Sequence, residues 1–178
     1  QKIIVSSDKD FYQLCENPQT YIWRPIQKEL INKTQLIYKF KVHPANFALV
    51  RAIEGDSSDN LKGVPRVGMK TVVKYFSQLE NPRQVSCDEI LALCSMEPNK
   101  KAVHKKLLEH KDLVKNNYTI MQLYEPNISF QGKQSIDYIL KQHKPLFNKI
   151  NITKMLMEDG QASLNLTDMW VAFKNIKQ

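Results

Sequence analysis

Gly55-Asp56-Ser57-Ser58-Asp59-Asn60-Leu61-Lys62-Gly63-Val64-Pro65-Arg66-Val67-Gly68-Met69-Lys70-Thr71 is the stretch on which the reading of this 178-residue chain turns. Its first six residues form a polar turn, and Gly63 to Gly68 reads as a hairpin with glycine at both ends. Residues 69–76 are predicted to be helical. Met69, Val72, Val73 and Phe76 recur at helical spacing on an apolar face, so Lys70 and Lys74 share the open face. Upstream, His43-Pro44-Ala45 opens a helix predicted over 46–54, with Phe47, Val50 and Ile53 on its apolar side. The whole is helix, hairpin, helix over about 46–77.

Working outward, Lys2 to Ser7 is read as a buried strand of parallel type. Residues 8–15 then read as a short helix with Phe11 and Leu14 inward and Asp8 or Asp10 as its cap. Strands are expected at 20–23 and 27–31, and a helix at 33–40. Downstream, helices are expected at 87–96, 99–110, 111–122, 133–143 and 152–158, with Asn81-Pro82 and Glu125-Pro126-Asn127 as linkers. The chain thus divides into an α/β piece over 1–43 and a mostly helical region over 44–178.

Twenty-six Lys and Arg against eighteen Asp and Glu give a net charge of +8, which suits either an anionic partner or a lysine-rich solvated surface. The excess concentrates in residues 61–120, with 11 basic and 6 acidic groups. Cys15, Cys87 and Cys94 are odd in number and lack C-x-x-C spacing, which argues against a disulfide framework or a thiolate zinc site and points to a reducing compartment. The four histidines make no ligand cluster, and nothing local supports a Cys–His nucleophile. The longest apolar runs are five residues, far short of the roughly 20 a membrane span needs. The chain opens on Gln1 and a strand with no initiator Met or leader, from which removal of an upstream segment is expected.

Any metal chemistry must therefore rest on carboxylates. Asp8 and Asp10 follow the carboxyl end of a predicted parallel strand, the edge where α/β sheets bind ligands. Asp56 and Asp59 lie three residues apart in a turn, so both can face one side. Mg²⁺ takes a few carboxylates plus water and phosphate oxygens, a combination suited to phosphodiester hydrolysis. The simpler alternative is that each Asp caps a helix or shapes a turn. Likewise, the hairpin and following helix form either a phosphate seat extended by Lys62, Arg66, Lys70 and Lys74, or an ordinary helical hairpin with solvated lysines.

Ile4-Val5-Ser6-Ser7-Asp8-Lys9-Asp10-Phe11, taken with the 55–71 stretch and the lead-in His43-Pro44-Ala45-Asn46-Phe47, resembles the 5′-nuclease superfamily of flap endonucleases, 5′–3′ exonucleases and bacteriophage ribonuclease H. The resemblance covers residues 1–77 and implies the carboxyl-terminal part of a PIN-like or Rossmann-like parallel sheet, followed by a helix–three-turn–helix DNA-binding region. It implies a metal-dependent 5′ nuclease of replication and repair. Asp8, Asp10, Asp56 and Asp59 would hold Mg²⁺ or Mn²⁺, directly or through water. Lys62, Gly63, Arg66, Gly68, Lys70 and Lys74 would hold duplex DNA with a 5′ end or flap, or an RNA–DNA hybrid. The carbonyls of Val64 and Val67 would hold K⁺. Two departures stand out. Arg66 occupies the place of the family's second hairpin glycine, and the family's earlier acidic residues, including a Glu-x-Asp-Asp stretch, have no counterpart here. A fragment inactive alone, monomeric and cytoplasmic (in the host if phage-encoded), is therefore expected.

Two other readings compete. A non-catalytic duplex-binding module built on the hairpin would leave the Ser6–Asp10 carboxylates without a role. A hairpin-containing base glycosylase needs a catalytic Asp about 20 residues past the hairpin. Asp88 is the nearest candidate, and after Ser86 it reads more simply as part of a helix start.

Overall fold

The computed structural model describes residues 1–125, 128–142, 148–161 and 163–174, in two compact units, Gln1–Asn127 and Ile128–Gln178. In the first unit, strand β1 (Lys2–Val5) pairs in parallel with β2 (Thr20–Arg24), and β2 pairs antiparallel with β3 (Glu29–Ile31). Helix α1 (Lys33–Phe40) starts on a capping box in which Asn32 and Gln35 satisfy each other's amides, and it ends where Lys41 turns left-handed. A 3₁₀ turn over Pro44–Asn46 leads into α2 (Phe47–Glu54).

Helix α2 is the axis of the unit. Every residue from Phe47 to Ile53 is buried, including Arg51. Its core joins Tyr12, Ile22, Ile31 and Leu36 from the sheet side to Val64, Val72, Phe76 and Leu79 beyond the hairpin. One hydrophobic cluster therefore spans both sides of residue 43. After α2, a two-residue ladder pairs β4 (Gly55–Asp56) with β5 (Leu61–Lys62), and α3 (Met69–Tyr75) leaves the hairpin. Helices α4 (Cys87–Met96), α5 (Ala102–Glu109) and α6 (Lys111–Met121) complete the unit.

Several expectations change. The first strand is parallel but not buried: β1 lies at the sheet edge, with Ile3 59% and Val5 65% exposed. Residues 10–16 form a 3₁₀ rather than an α-helix; its fully buried side chains are Tyr12, Gln13 and Cys15, while Phe11 packs against the core partly buried, as expected, and Leu14 is half-buried. Its cap position is Lys9, while Asp8 Oδ1 accepts the Asp10 amide at 2.8 Å. On α3 only Val72 is fully buried, with Met69 and Val73 partly so, and Lys70 and Lys74 are exposed as expected. Helix α5 starts at Ala102, three residues later than its pattern suggested. The three cysteines are buried, and burial pushes each thiol up to about 11, which leaves them unreactive at neutral pH.

The second unit contains α7 (Phe130–Gln142), α8 (Lys149–Glu158) and α9 (Leu166–Lys174). The sequence reading missed α9, although Asn165 accepts the amides of Thr167 and Asp168 as a cap. Pro126-Asn127 of the expected linker and His143 of the expected helix end lie outside the described residues. No helix among the described residues is long and apolar enough to cross a membrane.

Candidate metal centre and nucleic-acid interface

An open cleft of about 880 Å³ lies over the start of the first 3₁₀ helix and the β4–β5 turn, lined by Ser7, Asp8, Lys9, Arg51, Asp56 and Asp59, among others. Two buried features aim the aspartates. Gln13, fully buried, donates to Asp10 O at 2.9 Å and to Met121 O at 2.8 Å, pinning the Asp10 segment to the end of α6. At the end of α2, Gly55 adopts a φ of +81° and sends Asp56 into the cleft.

Three of the four expected aspartates come together. Asp10, Asp56 and Asp59 each offer an oxygen, and these oxygens lie within 4.8 Å of one another. Asp8 lines the same cleft without joining that group, and one of its oxygens is engaged by the Asp10 amide. The environments differ. Burial pushes the Asp10 carboxyl above the usual carboxylate range, against the opposing pull of Arg51. Asp56 is held below that range, first by the Ser58 hydroxyl, which donates to Asp56 Oδ1 at 2.5 Å, with the Ser58 amide adding a second bond at 2.9 Å. The donor set fits a hard divalent cation: it is all oxygen, anionic and open to the water such an ion retains. The Ser7 hydroxyl, also at the cleft wall, is buried without a hydrogen-bond partner among the described residues.

Local sequence did not reveal Arg51. Its side chain is only 6% exposed, and its guanidinium donates to Asp10 Oδ1 (3.1 Å), Asp56 Oδ2 and the Gly55 carbonyl (3.3 Å), with Glu54 at 3.6 Å. Burial works to lower its pKa, but these carboxylates more than offset that. The available signal was a single cation within the apolar run from Phe47 to Ile53, one turn before Gly55-Asp56.

The hairpin is held by contacts from distant sequence. Asn117 on α6 donates to Ala52 O and Lys62 O, both at 2.9 Å, and Lys106 on α5 donates to Pro65 O at 2.9 Å. Gly63 lets two backbone segments cross closely, because a Cβ there would sit 1.9 Å from Glu54 O. The expected phosphate seat is also altered. The first amide of α3, that of Met69, already donates to Glu54 Oε1 at 3.1 Å, placing an acid where a phosphate was expected. Lys62, Arg66, Lys70 and Lys74 are exposed, with the Lys74 ammonium 5.9 Å from the centroid of the Tyr75 ring. The Val64 carbonyl accepts the Val67 amide at 3.1 Å. Asp88 is an exposed first-turn residue of α4, paired with Lys115 at 2.6 Å, as its helix-start reading required.

Arg66 takes a left-handed φ of 63°. That conformation costs a side chain about 1–2 kcal/mol, and glycine's extra freedom in the unfolded chain returns roughly 0.5–1. Arg66→Gly is therefore expected to stabilise the chain by about 0.5 kcal/mol in urea denaturation. Its duplex affinity should nevertheless fall if Arg66 contacts phosphate.

Comparison with known proteins gives a consistent picture. No family model matches the chain. It is 34% identical over 84 residues to a 5′-3′ exonuclease of Buchnera aphidicola, covering 46% of this chain and 29% of that protein. It is 29% identical over 124 residues to flap endonuclease Xni of Shewanella oneidensis, covering 69% and 44%. The chain thus spans less than half the length of these relatives. Its fold is similar to that of a bacteriophage T5 flap endonuclease solved as a pseudo-enzyme–product complex with DNA and metal ions. That match has a TM-score of 0.52 and 18% identity, over 67% of this chain and 42% of the other. In sequence this chain is similar to a 5′-3′ exonuclease and a flap endonuclease, and in fold to a bacteriophage flap endonuclease.

Proposed function

We propose that the chain forms part of a metal-dependent 5′ nuclease that hydrolyses phosphodiesters at DNA 5′ ends or flaps. The observation that carries this is the convergence of Asp10, Asp56 and Asp59 oxygens within 4.8 Å, beside an open cleft that Asp56 and Asp59 line, in a chain whose relatives are named as 5′-3′ exonuclease and flap endonuclease. Asp10, Asp56 and Asp59 would hold Mg²⁺ or Mn²⁺, with Asp8 reaching it through water. Such an ion stabilises charge developing on a phosphate and its leaving oxygen. Residues 44–178 would form the duplex-holding region, with residues 46–77 as a helix–three-turn–helix. Lys62, Arg66, Lys70 and Lys74 would meet phosphates without reading sequence, and Gly63 and Gly68 would shape the turn between them. A K⁺ on the carbonyls of Val64 and Val67 has less behind it, because the Lys106 ammonium already sits on the neighbouring carbonyl of Pro65. An RNA–DNA hybrid would suit the same phosphate contacts, and a monomer in the cytoplasm is the state we propose.

A two-metal hydrolase needs carboxylates on both sides of the scissile phosphate. The residues here supply one set. Fusing the acidic amino-terminal segment of a relative to this chain should yield Mg²⁺-dependent cleavage of a 5′-flapped duplex, and Asp10→Asn should abolish it. Duplex binding without cleavage in the fusion, unaffected by metal, would leave a binding module instead.

Duplex affinity gives a separate check. Lys70→Ala/Lys74→Ala should weaken binding equally across sequences and flatten the salt dependence by about two units of slope, one per phosphate contact. An unchanged slope would move the binding face to the basic stretch over 100–115.

A further inference from the structure

Helix α2 buries a full positive charge in its apolar wall, and the cost of removing that charge from water is met by the acidic groups around it together with the Gly55 carbonyl. Arg51 engages one oxygen of Asp10 and one of Asp56, two of the three carboxylates that converge beside the cleft. Glu54, the third acid on the guanidinium, also takes the first amide of α3, so the network joins the acidic cluster to the helix leaving the hairpin. Lys9 and Lys62 line the cleft as well, but they are exposed, and water and salt screen them.

We infer that Arg51 is the resident cation of the acidic site: it holds Asp10 and Asp56 together without metal and lowers the affinity of the site for a divalent ion. This rests on the divalent-metal reading above. The physical argument is direct. Converging carboxylates repel, and a guanidinium between them offsets that repulsion while fixing their geometry through paired hydrogen bonds. The same fixed charge repels an incoming divalent cation, and because it is buried that repulsion is weakly screened. Arg51 is thus a positioning residue with a cost in metal affinity. The site is preformed when empty, and an ion bound weakly by the protein alone is bound better when substrate phosphate supplies further negative charge.

The test compares the wild-type chain with Arg51→Met and Arg51→Lys by thermal unfolding and by Mn²⁺ titration followed with electron paramagnetic resonance. Arg51→Met should melt about 10 °C lower without metal. It should recover most of that loss in millimolar Mn²⁺ and bind Mn²⁺ about tenfold more tightly than wild type, since a neighbouring positive charge is gone. Arg51→Lys keeps the charge but not the fork, so its Mn²⁺ affinity should stay within about threefold of wild type. If Arg51→Met does not fold even with Mn²⁺, the lysine variant decides, and a tenfold change in its affinity would overturn the inference. Unchanged or weaker Mn²⁺ binding by folded Arg51→Met would also overturn it, as would a loss of stability that Mn²⁺ does not repair. No Mn²⁺ binding by any form would remove the metal site itself, a result distinct from binding by wild type with no gain in Arg51→Met.

Discussion

Gly63→Ala is expected to destabilise the unit Gln1–Asn127 by about 4 kcal/mol or more, a large share of the 5–15 kcal/mol typical of a domain. The new Cβ would lie 1.9 Å from the Glu54 carbonyl oxygen, 2.2 Å from its carbon and 2.6 Å from Gly55 N. All three are backbone atoms, so no side chain can swing aside. The hairpin would have to lift away from the end of α2, breaking the Val64 amide bond to Ile53 O (2.8 Å) and the pairing of Gly55 with Lys62. Gly68 provides the control, because a Cβ there meets only Glu54 Oε1 at an ordinary 3.5 Å. Gly68→Ala should cost under about 1 kcal/mol. Urea denaturation monitored by circular dichroism distinguishes the two, and equal midpoints would contradict the backbone crossing.

The second large effect separates chemistry from stability within the acidic cluster. In the cleavage-competent fusion, Asp56→Asn and Asp59→Asn should each lower Mg²⁺-dependent flap cleavage about 100-fold or more, as losing a ligand to a catalytic ion does. Their stabilities should diverge. Asp56 accepts bonds from Ser58 and from the buried Arg51, so Asp56→Asn leaves a buried charge short of a partner and should cost about 2–3 kcal/mol. Asp59 is exposed and faces two like charges, so Asp59→Asn should leave stability unchanged or slightly raised. Sign matters for pH as well. The Asp56 carboxyl sits below its ordinary value, so the stability it contributes is present above that value and is lost as pH falls through the lowered one. Asp56→Asn should therefore flatten the acid limb of the stability profile below the ordinary carboxylate range.

Local chemistry made part of this molecule legible. Helix α1 matched its predicted bounds because Asn32 and Gln35 write its start into neighbouring residues. That Asp56 and Asp59 can face one side was legible because they lie three residues apart in a tight turn, and their oxygens do lie within 4.8 Å of each other. What escaped was carried by distance. Gln13 bonds to Met121, 108 residues away, and Asn117 to Ala52, 65 residues away, and no local pattern marks either as a core polar residue. Arg51 was not singled out, and it is the burial of every residue from Phe47 to Ile53 that makes its charge significant. The opposite error occurred at β1, where an apolar run suggested burial that its place at the sheet edge does not provide.

The shared metal site is tested most directly by titrating Mn²⁺ into the wild-type chain and into Asp10→Asn/Asp56→Asn/Asp59→Asn, following free Mn²⁺ by electron paramagnetic resonance. Wild type should show saturable binding in the cleft, weak because half of a two-metal acidic set is absent from these residues, and the triple variant should lose it while keeping its helical circular dichroism. Equal Mn²⁺ binding by the two folded chains would contradict a metal centre built from Asp10, Asp56 and Asp59.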